Sequence, residues 1–331
     1  MARTNKARRL WMSKLVRCAY TAVRVGASTP PYDTAHLRIW YPADPEFSMA
    51  ARDTGALPVD AADGPYPLVI FLPGNNLPVA EYSWWLQRLA TQHVVVSPTW
   101  VTEVAGGTIG TSGGLDRGAL GPGELGQSPA CPLLGPILEV LTRIDGSLPA
   151  AAIDMTKVVV GGHAGGGTAA LIGADSRTVP GLRGVFTYAA HTQAEATMGW
   201  PPDTFLPVAF QGPLLMMRGS HDGVIVGSAH RAAPQGRTHD PVGRTFRHGV
   251  GSGRPASYLA TFVGANHMLP VDPQDPTTGR GFLDGEAEGD PELLRADFVG
   301  LVEDFVNACF QAAPASHPLP YRPTVQVENG E

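Results

Sequence analysis

Short apolar runs, most of them bounded by glycine or proline, alternate along the chain with segments of helical spacing, and that alternation predicts the architecture before any single residue does. Residues 66–72 (Tyr-Pro-Leu-Val-Ile-Phe-Leu), 158–160 (Val-Val-Val), 182–190, 212–218 and 257–263 are largely apolar stretches of strand length, as expected of strands covered on both faces. Residues 81–90, 132–144, 168–174 and 293–310 suit helices, most with apolar side chains at helical intervals. Strand, helix, strand in repetition predicts an α/β fold with a mostly parallel central sheet and helices on both faces. Alternating stretches at 21–25 and 34–41 predict an opening antiparallel pair, and 93–98 returns as a strand that completes a βαβ unit. Two segments fit no period. Residues 102–130 and 226–255 are expected to be loop insertions, the first either bordering a pocket or a plain insertion. The chain thus divides into a basic N-terminal arm (1–20), a single domain (21–312) and a C-terminal tail (313–331).

The pattern changes most abruptly at residues 158–174. Three valines run into Gly161-Gly162-His163-Ala164-Gly165-Gly166-Gly167 and straight on into a helix-compatible segment. A strand that enters a helix with almost no loop forces one residue into a strained backbone conformation and crowds its neighbours, so Gly162, Gly165 and Gly166 fit there on steric grounds. The turn resembles the nucleophile elbow of the α/β-hydrolase fold, written Gly-x-Ser-x-Gly. Both glycines match, and Ala164 stands at the nucleophile position where serine is expected. A glycine-rich turn also cradles phosphates in dinucleotide-binding folds. Only the relaxed form of that pattern fits here, at residues 165–170, beginning well past the strand, in mid-chain and with no P-loop lysine after it.

The resemblance implies roles for other residues. The run 66–72 leads into Pro73-Gly74-Asn75-Asn76, where hydrolases of this fold place one amide of the oxyanion hole; the Asn75 N–H would be that donor and the Gly165 N–H the other. Asp222 follows the strand at 212–218 and would orient a histidine, and His267 follows the last strand and would be the general base. The order 164, 222, 267 is the serine, aspartate, histidine order of the fold. Across roughly residues 30–310 the chain is most similar to the branch containing chlorophyllases, platelet-activating-factor acetylhydrolases, dienelactone-hydrolase-like proteins and bacterial cutinase-like polyester hydrolases. That similarity is carried by residues 67–74, by Trp85-Leu86-Gln87-Arg88-Leu89-Ala90, and by Ala265-Asn266-His267-Met268, which resembles an Ala-Ser-His-Phe histidine turn. It implies a carboxylic ester hydrolase working through an acyl-enzyme, with Asn76, His163, Trp100, Trp200 and Met268 at the substrate pocket and Trp84 a further candidate wall. The glycine-rich insertions depart from the cutinase-like members.

Composition narrows the partners. A net charge of −6 on 331 residues gives no basic footprint for nucleic acid and favours a small-molecule partner, which the resemblance implies is an ester with an apolar portion. Cys18, Cys131 and Cys309 are widely spaced and lack metal-ligand spacing, so neither a metal site nor a cofactor is expected. The first residues are basic, but Lys14 and Arg17 interrupt the apolar stretch after them, and no apolar run is long enough for a membrane span; a cytoplasmic protein is predicted. His221, His230, His239 and His248 read as surface residues. Ala164 leaves three readings: a serine hydrolase in a nucleophile-to-alanine, substrate-trapping form; a non-hydrolytic binding protein of the same fold; or a base-catalysed cyclase or lyase that uses His267.

Overall fold

The apolar runs form the middle of a ten-stranded sheet. A computed structural model describes residues 14–26, 28–46, 48–105, 107–228, 240–250, 254, 256–311 and 319–330. Its strands are β1 (Val16–Arg24), β2 (Thr34–Pro42), β3 (Tyr66–Leu72), β4 (Val94–Ala105), β5 (Thr108–Ser112), β6 (Ile153–His163), β7 (Leu182–Tyr188), β8 (Leu214–Gly219), β9 (Ser257–Phe262) and β10 (Val325–Asn329). They lie in the order β1-β2-β4-β3-β6-β7-β8-β9-β10, with β5 hairpinned onto β4. Neighbours from β4 to β9 are parallel, while β1, β2 and β10 join antiparallel at the two ends. The parallel strands are Val-, Leu- and Ile-rich because both faces are covered; Val158, Val159 and Val160 have no exposed surface.

The principal helices are α1 (Met49–Thr54), α2 (Ser83–Leu89), α3 (Leu134–Leu141), α4 (Ala164–Gly173), α5 (Gly223–Ser228), α6 (Pro241–Arg244) and α7 (Pro291–Cys309). Phe71, Gly161 and Phe186 are register partners on β3, β6 and β7 and so share one face. There Phe71 and Phe186 meet Trp85 of α2, whose ring stands edge-on to Phe298 of α7. Gly162, one residue on, points to the other face, and a Cβ there would lie 2.5 Å from the Gly166 carbonyl of α4. Helices therefore cover both faces. α7 starts cleanly because the Asp290 side chain accepts from the Glu292 and Leu293 N–H groups and Pro291 has no N–H that needs an acceptor.

The topology opens a crevice at one place. From β3 the chain crosses to β4 on one side, then returns to β6 on the other, so the loops leaving β3 and β6 diverge at their carboxyl ends. Three expectations change. β1 begins at Val16, inside the stretch read as an arm, because Val16 to Arg24 pairs residue for residue with β2. The tail contributes β10, whose mostly exposed side chains left no apolar pattern to read. The segment 102–130 is not loop throughout: β4 runs on to Ala105 and folds back as β5. In the second insertion, α6 and a π-helical turn (Thr245–Gly249) follow residues 229–239, which lie outside the described residues together with His230 and His239.

Candidate active site

At the carboxyl end of β6 the chain turns directly into α4, and Ala164 at the apex has φ of 49°, the left-handed region that an alanine avoids. The crowding is backbone against backbone. A Cβ on Gly166 would overlap the Leu72 and Pro73 carbonyl oxygens, and beside it one on Gly165 would lie 2.9 Å from the side-chain amide of Asn75. The elbow thus presses against the loop leaving β3, and Asn75 and Gly165 are neighbours that line one cleft with Ala164.

His267 and Asp222 come together below that cleft, 2% and 7% exposed. The His267 Nδ1–H donates to Asp222 Oδ2 at 2.9 Å and Oδ1 at 3.1 Å, which leaves Nε2 as the basic nitrogen of the neutral ring. Asp222 Oδ1 also accepts the Ile225 N–H of α5 at 2.9 Å. An imidazole held this way can take a proton from a hydroxyl or a water, with the carboxylate stabilising the imidazolium.

His163 does not line the cleft. It is fully buried beneath the elbow, its Nε2–H donating to the His267 carbonyl at 3.1 Å. Since a carbonyl only accepts, Nδ1 is the unprotonated nitrogen, and Tyr82 Oη–H donates to it at 2.8 Å while accepting the Gly74 N–H at 3.0 Å. Burial, with the His267 ring 4.6 Å away, pushes the His163 pKa well below the ordinary value. One chain of hydrogen bonds therefore joins the β3 loop, the elbow and the backbone of His267.

Two solved structures share this architecture. A ferulic acid esterase from Streptomyces cinnamoneus superposes with a TM-score of 0.57 at 14% identity, over 96% of this chain and 98% of that one. A protein from Klebsiella pneumoniae subsp. pneumoniae assigned as a dienelactone hydrolase does so with a TM-score of 0.51 at 14% identity, over 88% and 99%. The fold is that of the α/β-hydrolases. No protein-family model and no curated protein sequence matches the chain.

On this α/β-hydrolase scaffold the cleft at the elbow has a volume of about 320 Å³. Asn76, Trp200 and Met268 are among its lining residues. Trp100 is not: it stands on β4 with its Nε1–H donating to the Tyr32 carbonyl at 2.8 Å, and it faces a separate recess. Trp84 is also elsewhere, sharing the Pro270 carbonyl with Trp85, each at 3.1 Å, and so pinning the segment after His267. The first insertion borders the cleft through Val104, Thr108, Ser112, Leu115, Arg117 and Leu120. It is clamped to the β3 loop, with the Gly113 N–H donating to Asn75 Oδ1 and Asn76 pairing with the Thr111 backbone in both directions. Of the surface histidines, His248 is exposed and His221 half-buried.

Several residues of the site carried no signal in the sequence. Asp284, in the polar loop before α7, accepts the His267 and Gly223 N–H groups on Oδ1 and the Met268 N–H on Oδ2, and burial raises its pKa. Tyr188 donates to the Asn266 carbonyl at 2.6 Å, fixing the same turn from below. Arg117 and Glu195 form a two-pronged ion pair at 2.7 and 3.0 Å that joins two walls of the cleft. The Thr168 hydroxyl donates to the His191 carbonyl and the Ser112 hydroxyl accepts the Gly114 N–H, so both are engaged in holding backbone. Among the described residues no cluster of three or more His, Cys, Asp or Glu side chains is placed to hold a metal ion, and no helix is long and apolar enough to cross a membrane.

Proposed function

We propose that the cleft is the active site of a carboxylic ester hydrolase whose nucleophile position holds alanine, so that the chain as written binds its ester without forming an acyl-enzyme. The observation that carries this reading is the buried Asp222–His267 pair opening onto the same cleft as the strained Ala164. A left-handed non-glycine residue costs on the order of 1 to 2 kcal/mol, and a strained residue of that kind is a pointer to function. The names of the two structural neighbours, an esterase and a dienelactone hydrolase, point the same way.

With serine at 164, Oγ would attack the ester carbonyl while His267 Nε2 takes its proton and Nδ1–H stays on Asp222. The Asn75 and Gly165 N–H groups would hold the negative oxygen of the tetrahedral intermediate, and collapse would return the proton to the leaving alcohol. Water would then release the acyl group by the same steps, again with His267 as base. Alanine removes the attacking atom and leaves the rest, which costs about a million-fold in turnover in a serine hydrolase.

The test is the Ala164→Ser protein beside the chain as written, on short and long p-nitrophenyl esters. A burst followed by turnover with serine, and none with alanine or with Ala164→Ser/His267→Ala, is the expected result. If the serine protein is inert on both esters and takes no label from a fluorophosphonate, the hydrolase reading is wrong and a non-hydrolytic binding role takes its place.

A further inference from the structure

The cleft has walls of two kinds. Leu115, Leu120, Met198, Trp200 and Leu206 make an apolar side. The segment that follows β7 also lines it, and there it brings His191, Thr192, Gln193 and Glu195, all polar. Around Gln193 this segment is extended: it bridges Phe205 antiparallel, the Leu206 N–H donates to the Thr192 carbonyl, and the Ala194 N–H donates to that of Thr204. In an extended segment alternate side chains share a side, so His191, Gln193 and Glu195 form one stripe and Thr192 belongs to the other. The Thr192 hydroxyl lies against Gly249, on the π-helical turn, although Thr192 also reaches the cleft lining.

The stripe carries hydrogen-bonding capacity that the protein does not use. Gln193 is 6% exposed, and its Nε2, a donor of two hydrogen bonds, has no partner among the described residues. His191 Nδ1 is likewise buried without a partner among the described residues, and both residues line the cleft. Burial holds the His191 pKa down to about 4, so at neutral pH the ring has one N–H donor and one acceptor nitrogen. A buried polar atom without a partner is costly, which makes the pairing it lacks a strong discriminator between ligands.

We propose that His191 and Gln193 form a specificity subsite for a hydroxyl group carried on an apolar body, the hydroxyl donating to one residue and accepting from the other. The apolar body would pack on Trp200 and its aliphatic neighbours. This rests on the cleft being the ester site, and it names the substrate class: esters bearing a hydroxyl on the acyl or the alcohol portion, rather than plain hydrocarbon esters.

Because the chain as written should not turn esters over, binding can be measured directly by calorimetry. Methyl 3-(4-hydroxyphenyl)propanoate against methyl 3-phenylpropanoate probes the acyl side, and 2-(4-hydroxyphenyl)ethyl acetate against 2-phenylethyl acetate probes the alcohol side. The hydroxylated member of one pair should bind about tenfold tighter, the worth of one well-made hydrogen bond in a buried site. Gln193→Met and His191→Phe, tested separately so that one folded variant suffices, should each erase the preference and leave the affinity for the unhydroxylated member within about twofold. Equal affinity within both pairs, no binding of any of the esters, or a preference that survives both substitutions overturns the proposal. The hydrolase reading fails separately: a hydroxyl preference in a chain whose Ala164→Ser variant is inert keeps the subsite and removes the reaction, whereas an active serine variant without the preference does the reverse.

Discussion

At position 164 the backbone sits in the left-handed region, and the side chain there is a methyl group that gains nothing from it. Ala164→Gly should therefore be neutral or stabilising by up to about 1 kcal/mol in urea unfolding, although glycine for alanine in a helix ordinarily costs about that much. Gly162→Ala should behave in the opposite way. Its Cβ would lie 2.5 to 2.6 Å from the Gly166 and Gly167 backbone, which cannot swing aside as a side chain could, and a loss of about 3 kcal/mol or failure to fold is expected. Asp284→Ala would leave the buried N–H groups of Gly223, His267 and Met268 without this acceptor, so a loss of about 2 to 4 kcal/mol is expected. In an active Ala164→Ser background it should also lower kcat more than it raises KM, because it disturbs the base rather than the pocket walls. An unchanged kcat would assign Asp284 a purely structural role.

The elements divide by how apolar they are. β3, β8 and β9 were legible nearly to the residue because each is a buried run closed by glycine, proline or a turn, and the elbow was legible because steric crowding leaves few residues other than glycine at 162 and 166. β5 and β10 were not legible: β10 is mostly exposed, β5 carries one apolar side chain, Ile109, and each pairs on one edge, so backbone hydrogen bonding holds them with little apolar signal. The same limit hid Asp284, Arg117 and Glu195, polar residues in loops whose meaning lies in partners far along the chain. It also placed Trp100 wrongly, since the sequence gives no means of telling which side of a strand end faces the crevice. Arg117→Ala removes the clasp between the loop after β5 and the segment after β7. As the pair is partly exposed, global stability should fall by only about 1 kcal/mol or less, while amide exchange in residues 113–121 quickens.

The molecule as a whole carries a built-in sensitivity to acid. Burial holds His93, His163 and His191 below the ordinary histidine pKa, so as pH falls through about 6.5 the unfolded chain binds protons that the folded chain refuses. Their contribution is complete above that pH and is lost below it, with the His191 part lost down to about pH 4. Asp284 and Glu81, both raised by burial, act in the opposite sense, two groups against three. His191 alone can cost up to about 1.4 kcal/mol per pH unit, and His93 and His163 act in the same direction, so unfolding by urea at pH 5.5 should report about 1 kcal/mol or more less stability than at pH 7.5. A flat profile over that range would show that the rings are not kept neutral. The last strand has a different consequence. β10 occupies the free side of β9, and it is held there by ties to α7, where Arg322 pairs with Asp304 and Thr324 bonds to Asp297. A chain cut after residue 311 would expose β9 as a bare template carrying Tyr258, Leu259, Ala260 and Phe262, an open edge of the kind that recruits a second strand. Such a protein should elute as a larger species than the full chain in light-scattering chromatography, and a peptide spanning residues 319–330 added in trans should return it to the mass of the full chain.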